Sequence, residues 1–164
     1  MRYVIIGNSA AAIGCIEGIR QVDRENKIVV ISNEPYHTYS RPLISYLLYG
    51  KTDEQRMKYR PDDFYEKNNC ETIFGKAAVA INREEKTVTL EDNTKISYDK
   101  LLIATGSSPF VPSMAGLENV EQKFTFQSLD DAKALDQAIN SESNVLIVGA
   151  GLIGLKCAEG IYHK

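Results

Sequence analysis

The chain has few of the side chains on which acid–base and nucleophilic enzymes depend. Among its 164 residues are two histidines, His37 and His163, and three cysteines, Cys15, Cys70 and Cys157, set far apart with no Cys-x-x-Cys pair. No His/Asp or Cys/His constellation follows from the order of these residues, and no metal-ligand set is expected. An odd number of isolated cysteines without a secretory leader reads as reduced thiols of a cytoplasmic protein. Such cysteines are expected to pack as small apolar residues. The chain also lacks a basic cluster: its formal net charge is −3, which excludes the concentrated Lys/Arg face of a nucleic-acid binder. Long hydrophobic runs are missing too. The longest, Leu146 to Leu155, falls far short of the roughly 20 residues that span a bilayer, so no membrane partner is expected. Met1-Arg2 leads straight into a strand-like run, leaving no room for a signal peptide. What remains is ordinary globular material, 43% hydrophobic and 25% charged. It is enough for one well-packed domain and too little for two complete α/β domains.

The pattern along the chain alternates strands and helices. Residues 2–6 form a short apolar run suited to a strand buried on both faces. A turn at Gly7-Asn8-Ser9 leads into a helical pattern from Ala10 to about Arg24, and residues 27–31 form a second β-branched strand. Together they make a βαβ unit. Pro35 to Lys58 is irregular and aromatic. Pro61 with Asp62 and Asp63 marks a helix start. Residues 72–90 look β-rich, with a hairpin turn at Asp92-Asn93, and residues 101–104 give another buried strand ending in Thr105-Gly106. Ser128 with Asp131 signals a helix cap, and Ala132, Leu135 and Ile139 give that helix an apolar side. A strand over 144–148, a glycine turn and a helix from Leu152 follow.

Strand, glycine-rich turn and helix therefore occur near both ends of the chain. The later copy, Gly149-x-Gly151-x-x-Gly154, has the spacing of a dinucleotide fingerprint. Its first glycine permits a tight turn, the second lets backbone approach a pyrophosphate, and the third lets helix and strand pack closely. Leu152 and Ile153 open the helix whose positive end would face the phosphates. The earlier copy is degenerate: Gly7-Asn8-Ser9-Ala10-Ala11-Ala12, with Ser9 and Ala12 at the second and third glycine positions. Ser9 could add a hydroxyl donor to a phosphate. Glu34, just beyond the second strand after Ser32 and Asn33, compensates for this. A carboxylate there can accept both ribose hydroxyls of an adenosine.

These pieces, in this order, resemble the pyridine nucleotide–disulfide oxidoreductase superfamily, and most of all its rubredoxin, ferredoxin and nitrite reductase flavoproteins. The resemblance rests on residues 3–10 (Tyr3 to Ala10), on Glu34, on Tyr39-Ser40-Arg41-Pro42-Leu43, on residues 98–106 (Tyr98 to Gly106) and on the second fingerprint. It covers the whole chain but only the first part of a typical member. It implies an α/β fold: a Rossmann-like FAD-binding domain with a parallel sheet, helices and a β-meander, then the first strand, turn and helix of a second Rossmann domain. The corresponding spans are 1–110 for the FAD-binding segment, 111–142 for a connection with a helix, and 143–164 for an incomplete NAD(P)H-binding domain. Gly7, Asn8, Ser9, Ala10 and Ala11 would hold the FAD pyrophosphate, and Ser32, Asn33 and Glu34 the adenosine ribose. Arg41 and Pro42 would lie along the flavin, Ala78 would meet adenine through its backbone, and Ala104, Thr105 and Gly106 would form a further FAD contact. Gly149, Gly151, Leu152, Ile153 and Gly154 would belong to the NAD(P)H site.

The implied activity is hydride transfer from NAD(P)H to FAD, with electrons passed to a redox protein or small acceptor. The chain departs from the family in three places. Pro35 to Tyr49 holds no cysteine, which speaks against thiol–disulfide exchange. Ser45 stands where a lysine lies near the flavin in ferredoxin-reductase-like members, and Lys156 where relatives usually have glutamate. Because later segments complete both cofactor sites in the family, little or no activity is expected of this chain alone. The final helix would expose Leu152, Ile153, Leu155 and Ile161 and pack on its own domain or on a second copy. The competing reading is a non-catalytic dinucleotide-binding module, regulatory or structural. The aromatic loop around Arg41-Pro42 favours the enzyme.

Overall fold

A computed structural model describes all residues from Met1 to Lys164. In chain order the elements are β1 (Arg2–Ile6), α1 (Ala10–Val22), β2 (Lys27–Ser32), a 3-10 turn (Arg41–Leu43), α2 (Ile44–Leu48), α3 (Glu54–Met57), α4 (Phe64–Lys67), β3 (Cys70–Phe74), β4 (Ala78–Asn82), β5 (Thr87–Leu90), β6 (Lys95–Ser97) and β7 (Lys100–Ile103). A second 3-10 turn (Leu117–Asn119), α5 (Leu129–Ala138) and α6 (Leu152–Tyr162) follow. The chain gathers into two compact units: Met1–Tyr39 with Lys58–Gly106, and Ser40–Met57 with Ser107–Lys164. This division cuts across the sequence-order spans. Residues 40–57 join the later part of the chain because α2 packs on α5 and α6.

The first unit is built on a four-stranded parallel sheet in the order β3-β2-β1-β7. Alternate residues of the two central strands point to opposite faces. Ile5, Ile28 and Val30 meet Ala12, Ile13 and Ile16 of α1 together with Phe64 and Tyr65 of α4. Val4, Ile6, Val29 and Ile31 meet Val88, Leu90 and Ile96 of the antiparallel meander β4-β5-β6. With both faces covered, these strands need unbroken apolar runs rather than alternation. The meander turns at Asp92-Asn93 as the sequence predicts, with Asn93 at φ 65° and the Leu90 amide bonded to the Thr94 carbonyl. The Lys76 ammonium and the Thr94 groups beside Asp92 hold its carboxyl well below the usual range.

Helix α1 stops at Val22 because Asp23 turns the chain. Its carboxylate accepts the Asn26 and Glu25 amides at 3.0 and 3.2 Å, the Asn26 side-chain amide and the Tyr3 hydroxyl. Arg20 secures the same corner. Its guanidinium donates to the carbonyls of Asn68, Asp23 and Asn26 at 2.7, 2.8 and 2.8 Å, matching rigid donors to three converging loop carbonyls.

The second unit centres on Leu48, Leu135 and Cys157, with Phe126, Ile139 and Ile161 packed around them. Helix α6 rides close on α2, since a Cβ at Gly160 would lie 3.1 Å from the Leu48 side chain and the Ser45 carbonyl. Cys157 and Ile161 therefore face inward, while Leu152, Ile153 and Leu155 stay exposed. The strand expected over 144–148 does not form: Leu146 and Val148 stand 87% and 67% exposed, and the segment joins no ladder. A strand exists through a neighbour that takes its N–H and C=O groups, and no segment of this chain does so. No helix is long and apolar enough to cross a membrane.

Helix α5 carries the capping box that its sequence signals. The Ser128 hydroxyl accepts the Asp131 amide at 3.0 Å, and the Asp131 carboxylate accepts the Ser128 and Gln127 amides. Replacing Ser128 by Ala should lower the stability of the second unit by about 1 kcal/mol, read as a shift in its denaturation midpoint. An unchanged midpoint would show that the cap contributes nothing.

Candidate functional site

The parallel register brings the ends of three strands together at one edge of the first sheet. Ile6 of β1 pairs with Ile31 of β2 on one side and with Ile103 of β7 on the other. The turns that follow these strands, at Gly7, at Ser32–Glu34 and at Ala104–Gly106, therefore lie at the same carboxyl edge. Open α/β sheets bind their ligands there.

Gly7 is fixed by its surroundings. At φ 119° it adopts a conformation that L side chains rarely reach, and a Cβ built on it would overlap the Ala104 carbonyl. Its amide donates to the Ile31 carbonyl at 2.8 Å, and the Ala104 amide donates to the Ile6 carbonyl at 2.7 Å. The tight turn lets α1 begin at once. Ser9 is its extended N-cap residue and does not use its hydroxyl to cap the helix. The first-turn amides of α1, including Ala10 and Ala11, have no intrahelical acceptor, and Ala10 and Ala11 are exposed. Ala12, at the third fingerprint position, is fully buried against the sheet, where a small residue lets helix and strand approach.

Asn8 is tied into the protein in a way its sequence context does not show. Its side-chain amide donates to the Tyr36 carbonyl at 3.1 Å, and its oxygen accepts from the Tyr65 hydroxyl at 2.5 Å. The same hydroxyl accepts the Thr38 amide at 3.3 Å. The Asn8 side chain is thus a clamp between turn and loop. His37 shares this cluster. Its ring meets Tyr65 edge-on at 4.9 Å, its Nδ1 lies 3.1 Å from the Thr38 carbonyl, and its Nε2 is buried without a partner. Burial pushes the Tyr65 phenol up to about 12.

Glu34 is half-buried and held by its neighbours. Its amide donates to the Ser32 hydroxyl at 3.1 Å, its carbonyl accepts the Gly75 amide at 3.3 Å, and its carboxylate accepts the Tyr39 hydroxyl at 2.7 Å. Asn33 beside it is exposed. Ala78 opens β4 opposite Leu90 and next to a bulge. With Ile6, Val79, Ile81, Ile103 and Thr105 it lines an apolar hollow of about 230 Å³. Thr105 and Gly106 are exposed, and Gly106 has φ 70°.

The remaining expected residues belong to the second unit. Arg41 opens the 3-10 turn and donates to the Gln127 carbonyl at 3.3 Å, while Pro42 is exposed. Ser45, in the place expected for a lysine, is buried and donates to the Pro42 carbonyl at 3.3 Å. Lys156 pairs with Glu159 at 2.6 Å and sits over the Tyr46 ring. The second fingerprint forms its turn without its strand. Gly149 has φ 114°, Gly151 is the N-cap residue of α6, and a Cβ at Gly154 would overlap the Gly149 carbonyl. Leu152 and Ile153 open the helix in the exposed position expected of them. Burial raises all three cysteine thiols, Cys70 to about 11. This disfavours the thiolate that redox chemistry needs.

Residues 1–163 match the family model described as "Pyridine nucleotide-disulphide oxidoreductase". The epsilon subunit of NADH-dependent phenylglyoxylate dehydrogenase from Aromatoleum evansii is 34% identical over 98% of this chain and 38% of its own length. The large subunit of nitrite reductase (NADH) from Escherichia coli is 32% identical over 98% of this chain and 19% of its own. Among solved structures, NADH:rubredoxin oxidoreductase from Clostridium acetobutylicum superposes with a TM-score of 0.86 at 26% identity, over 99% of this chain and 42% of that one. The chain thus spans about two-fifths or less of the length of these relatives.

Two measurements probe the turn. Gly7→Ala combines a strained φ with a backbone overlap and should destabilise the first unit by at least about 2 kcal/mol. Gly106→Ala, with open space around it, should cost only the strain, about 1 kcal/mol. Equal losses would contradict the close approach to Ala104. An alkaline titration followed at the tyrosinate band tests the Asn8 clamp. The Tyr65 pKa is higher in the folded than in the unfolded chain, so its contribution is intact below pH 10 and is lost as pH rises toward 12. Tyr65→Phe should remove that late-titrating phenol and cost about 1–3 kcal/mol by stranding the Asn8 oxygen and the Thr38 amide.

Proposed function

Since the chain belongs to the pyridine nucleotide-disulphide oxidoreductase family, we propose that it forms the FAD-holding part of an NAD(P)H oxidoreductase whose electrons pass to a redox protein or small acceptor. The observation that carries this reading is the convergence of the Gly7 turn, the held Glu34 carboxylate and the Thr105-Gly106 turn at one edge of the parallel sheet.

The residues present fit the cofactor. The space a Cβ would fill at Gly7 is taken by backbone, so the turn keeps the tight shape a pyrophosphate needs. The first-turn amides of α1, a helix of 13 residues, offer donors and a positive dipole end to the phosphates. In this reading Gly7 to Ala11 bind the pyrophosphate, with the Ser9 hydroxyl as a further donor. The Glu34 carboxylate accepts the adenosine ribose hydroxyls, Ser32 and Asn33 shape the same corner, and the backbone at Ala78 and the turn at Ala104–Gly106 flank the cofactor. The hollow beside Ala78, Val79 and Thr105 offers apolar surface on that flank. A flavin held by these residues would supply the hydride-accepting redox chemistry. Hydride transfer needs no side-chain acid or base, so the shortage of histidine and reactive thiol is compatible with it.

The names of the relatives support a nicotinamide-linked redox enzyme. One is an NADH-dependent dehydrogenase subunit, one an NADH nitrite reductase subunit, and one an NADH:rubredoxin oxidoreductase. By analogy the donor is NAD(P)H, with the Gly149–Gly154 turn as the nicotinamide-side candidate. The absence of a cysteine between Pro35 and Tyr49 favours an acceptor other than a disulfide.

The test is binding of FAD to the purified chain, followed by quenching of flavin fluorescence. The unaltered chain should bind FAD, and Glu34→Gln should weaken binding about 10- to 100-fold, the worth of a hydrogen bond to a charged acceptor. Binding that is absent, or indifferent to Glu34→Gln, would sink the assignment.

A further inference from the structure

Glu34 is not a loose loop acid. A free glutamate samples many rotamers and gives up that freedom when it grips a ligand, at about 0.5–1.5 kcal/mol per immobilised side chain. Here the freedom is already gone. The backbone is pinned on both sides of the residue, by the Ser32 hydroxyl and the Gly75 amide. The carboxylate itself is held by the Tyr39 hydroxyl at 2.7 Å through Oε2.

Tyr39 is in turn a fixed point. It forms an antiparallel bridge with Lys58, the neighbouring Thr38 carbonyl accepts the Tyr59 amide at 2.9 Å, and its ring meets Tyr36 edge-on at 6.4 Å. The phenol offers one O–H, whereas an ionised carboxylate has about four acceptor positions. Holding Oε2 therefore fixes the direction of Glu34 and still leaves it capacity for a vicinal diol.

We propose that Tyr39 is a positioning residue of the nucleotide site: its hydroxyl locks the Glu34 carboxylate in the orientation that accepts the adenosine ribose. The inference deepens the FAD reading and rests on it. Tyr39 touches the ligand only through Glu34, so its effect must vanish when either the carboxylate or the ribose hydroxyl is removed.

The experiment compares the unaltered full chain with Glu34→Gln, Tyr39→Phe and the double variant. FAD affinity comes from flavin fluorescence, and competition by ADP and 2′-deoxy-ADP comes from displacement of bound FAD. Tyr39→Phe should weaken FAD by about 2- to 12-fold, the equivalent of one side chain to be immobilised. It should also shrink the preference for ADP over 2′-deoxy-ADP, a ratio that general loosening of the fold would leave alone. The double variant should bind no worse than Glu34→Gln. Tyr39→His, whose ring can donate in place of the phenol, should recover part of the loss and covers the case in which the Phe variant fails to fold. Unchanged FAD affinity in Tyr39→Phe, equal losses for ADP and 2′-deoxy-ADP, or a penalty that persists on the Glu34→Gln background would each overturn the role. If Glu34→Gln itself bound FAD normally, or the unaltered chain bound none, the ribose reading would fall first and this inference with it.

Discussion

At Gly7 the backbone passes where a side chain would run into the Ala104 carbonyl, and the arrangement of the whole first unit follows from that close passage. A wider turn would push α1 away from the sheet and leave Ala12 without its packing against the strands. It would also part β1 from β7, because the Ala104 amide bonds to Ile6 immediately beside the turn. The site-forming edge is therefore a by-product of how the core closes. The three strand ends lie together because β1 is the shared neighbour of β2 and β7, and β1 holds that place because both its faces are buried.

Much of this is legible in the residue order, for reasons that differ from element to element. Val4 to Ile6 and Ile28 to Ile31 show their burial as unbroken apolar runs. Asn93 advertises its hairpin because few other residues tolerate φ 65°, and Ser128 with Asp131 spells out a cap whose two hydrogen bonds span three residues. All of these are local. Contacts between distant parts of the chain leave no such trace. Nothing near Asn8 points to Tyr65, and nothing near Arg20 points to the Asn68 carbonyl that it binds. The placement of residues 40–57 with the later unit is likewise invisible, because α2 is recruited by packing against α5 and α6 rather than by any signal of its own. For the candidate site the order of residues gave Glu34 and the two glycine turns. It did not give the groups that hold them, Tyr39 and Tyr65.

The two fingerprints separate what spacing encodes from what a fold must add. The sequence with every glycine in place, at Gly149, closes its turn and starts its helix, yet 144–148 joins no sheet. The one with substitutions, at Gly7, follows a strand paired on both sides, with a carboxylate held at the end of the neighbouring strand. At the third fingerprint position Ala12 is small enough to pack fully buried against the sheet. Neighbouring strands, not matching glycines, make the first turn a finished structure.

The contact between Gly7 and Ala104 also has a consequence for the order of events during synthesis. The turn at Gly149 is made from residues a few positions apart and can close as soon as it is translated. The turn at Gly7 leaves the ribosome first, but its steric partner lies at the far end of the same unit and emerges only after the meander. Loop-closure entropy opposes such distant pairing until most of the unit is present. Of the two turns, the one made earlier is thus the later to reach its final shape.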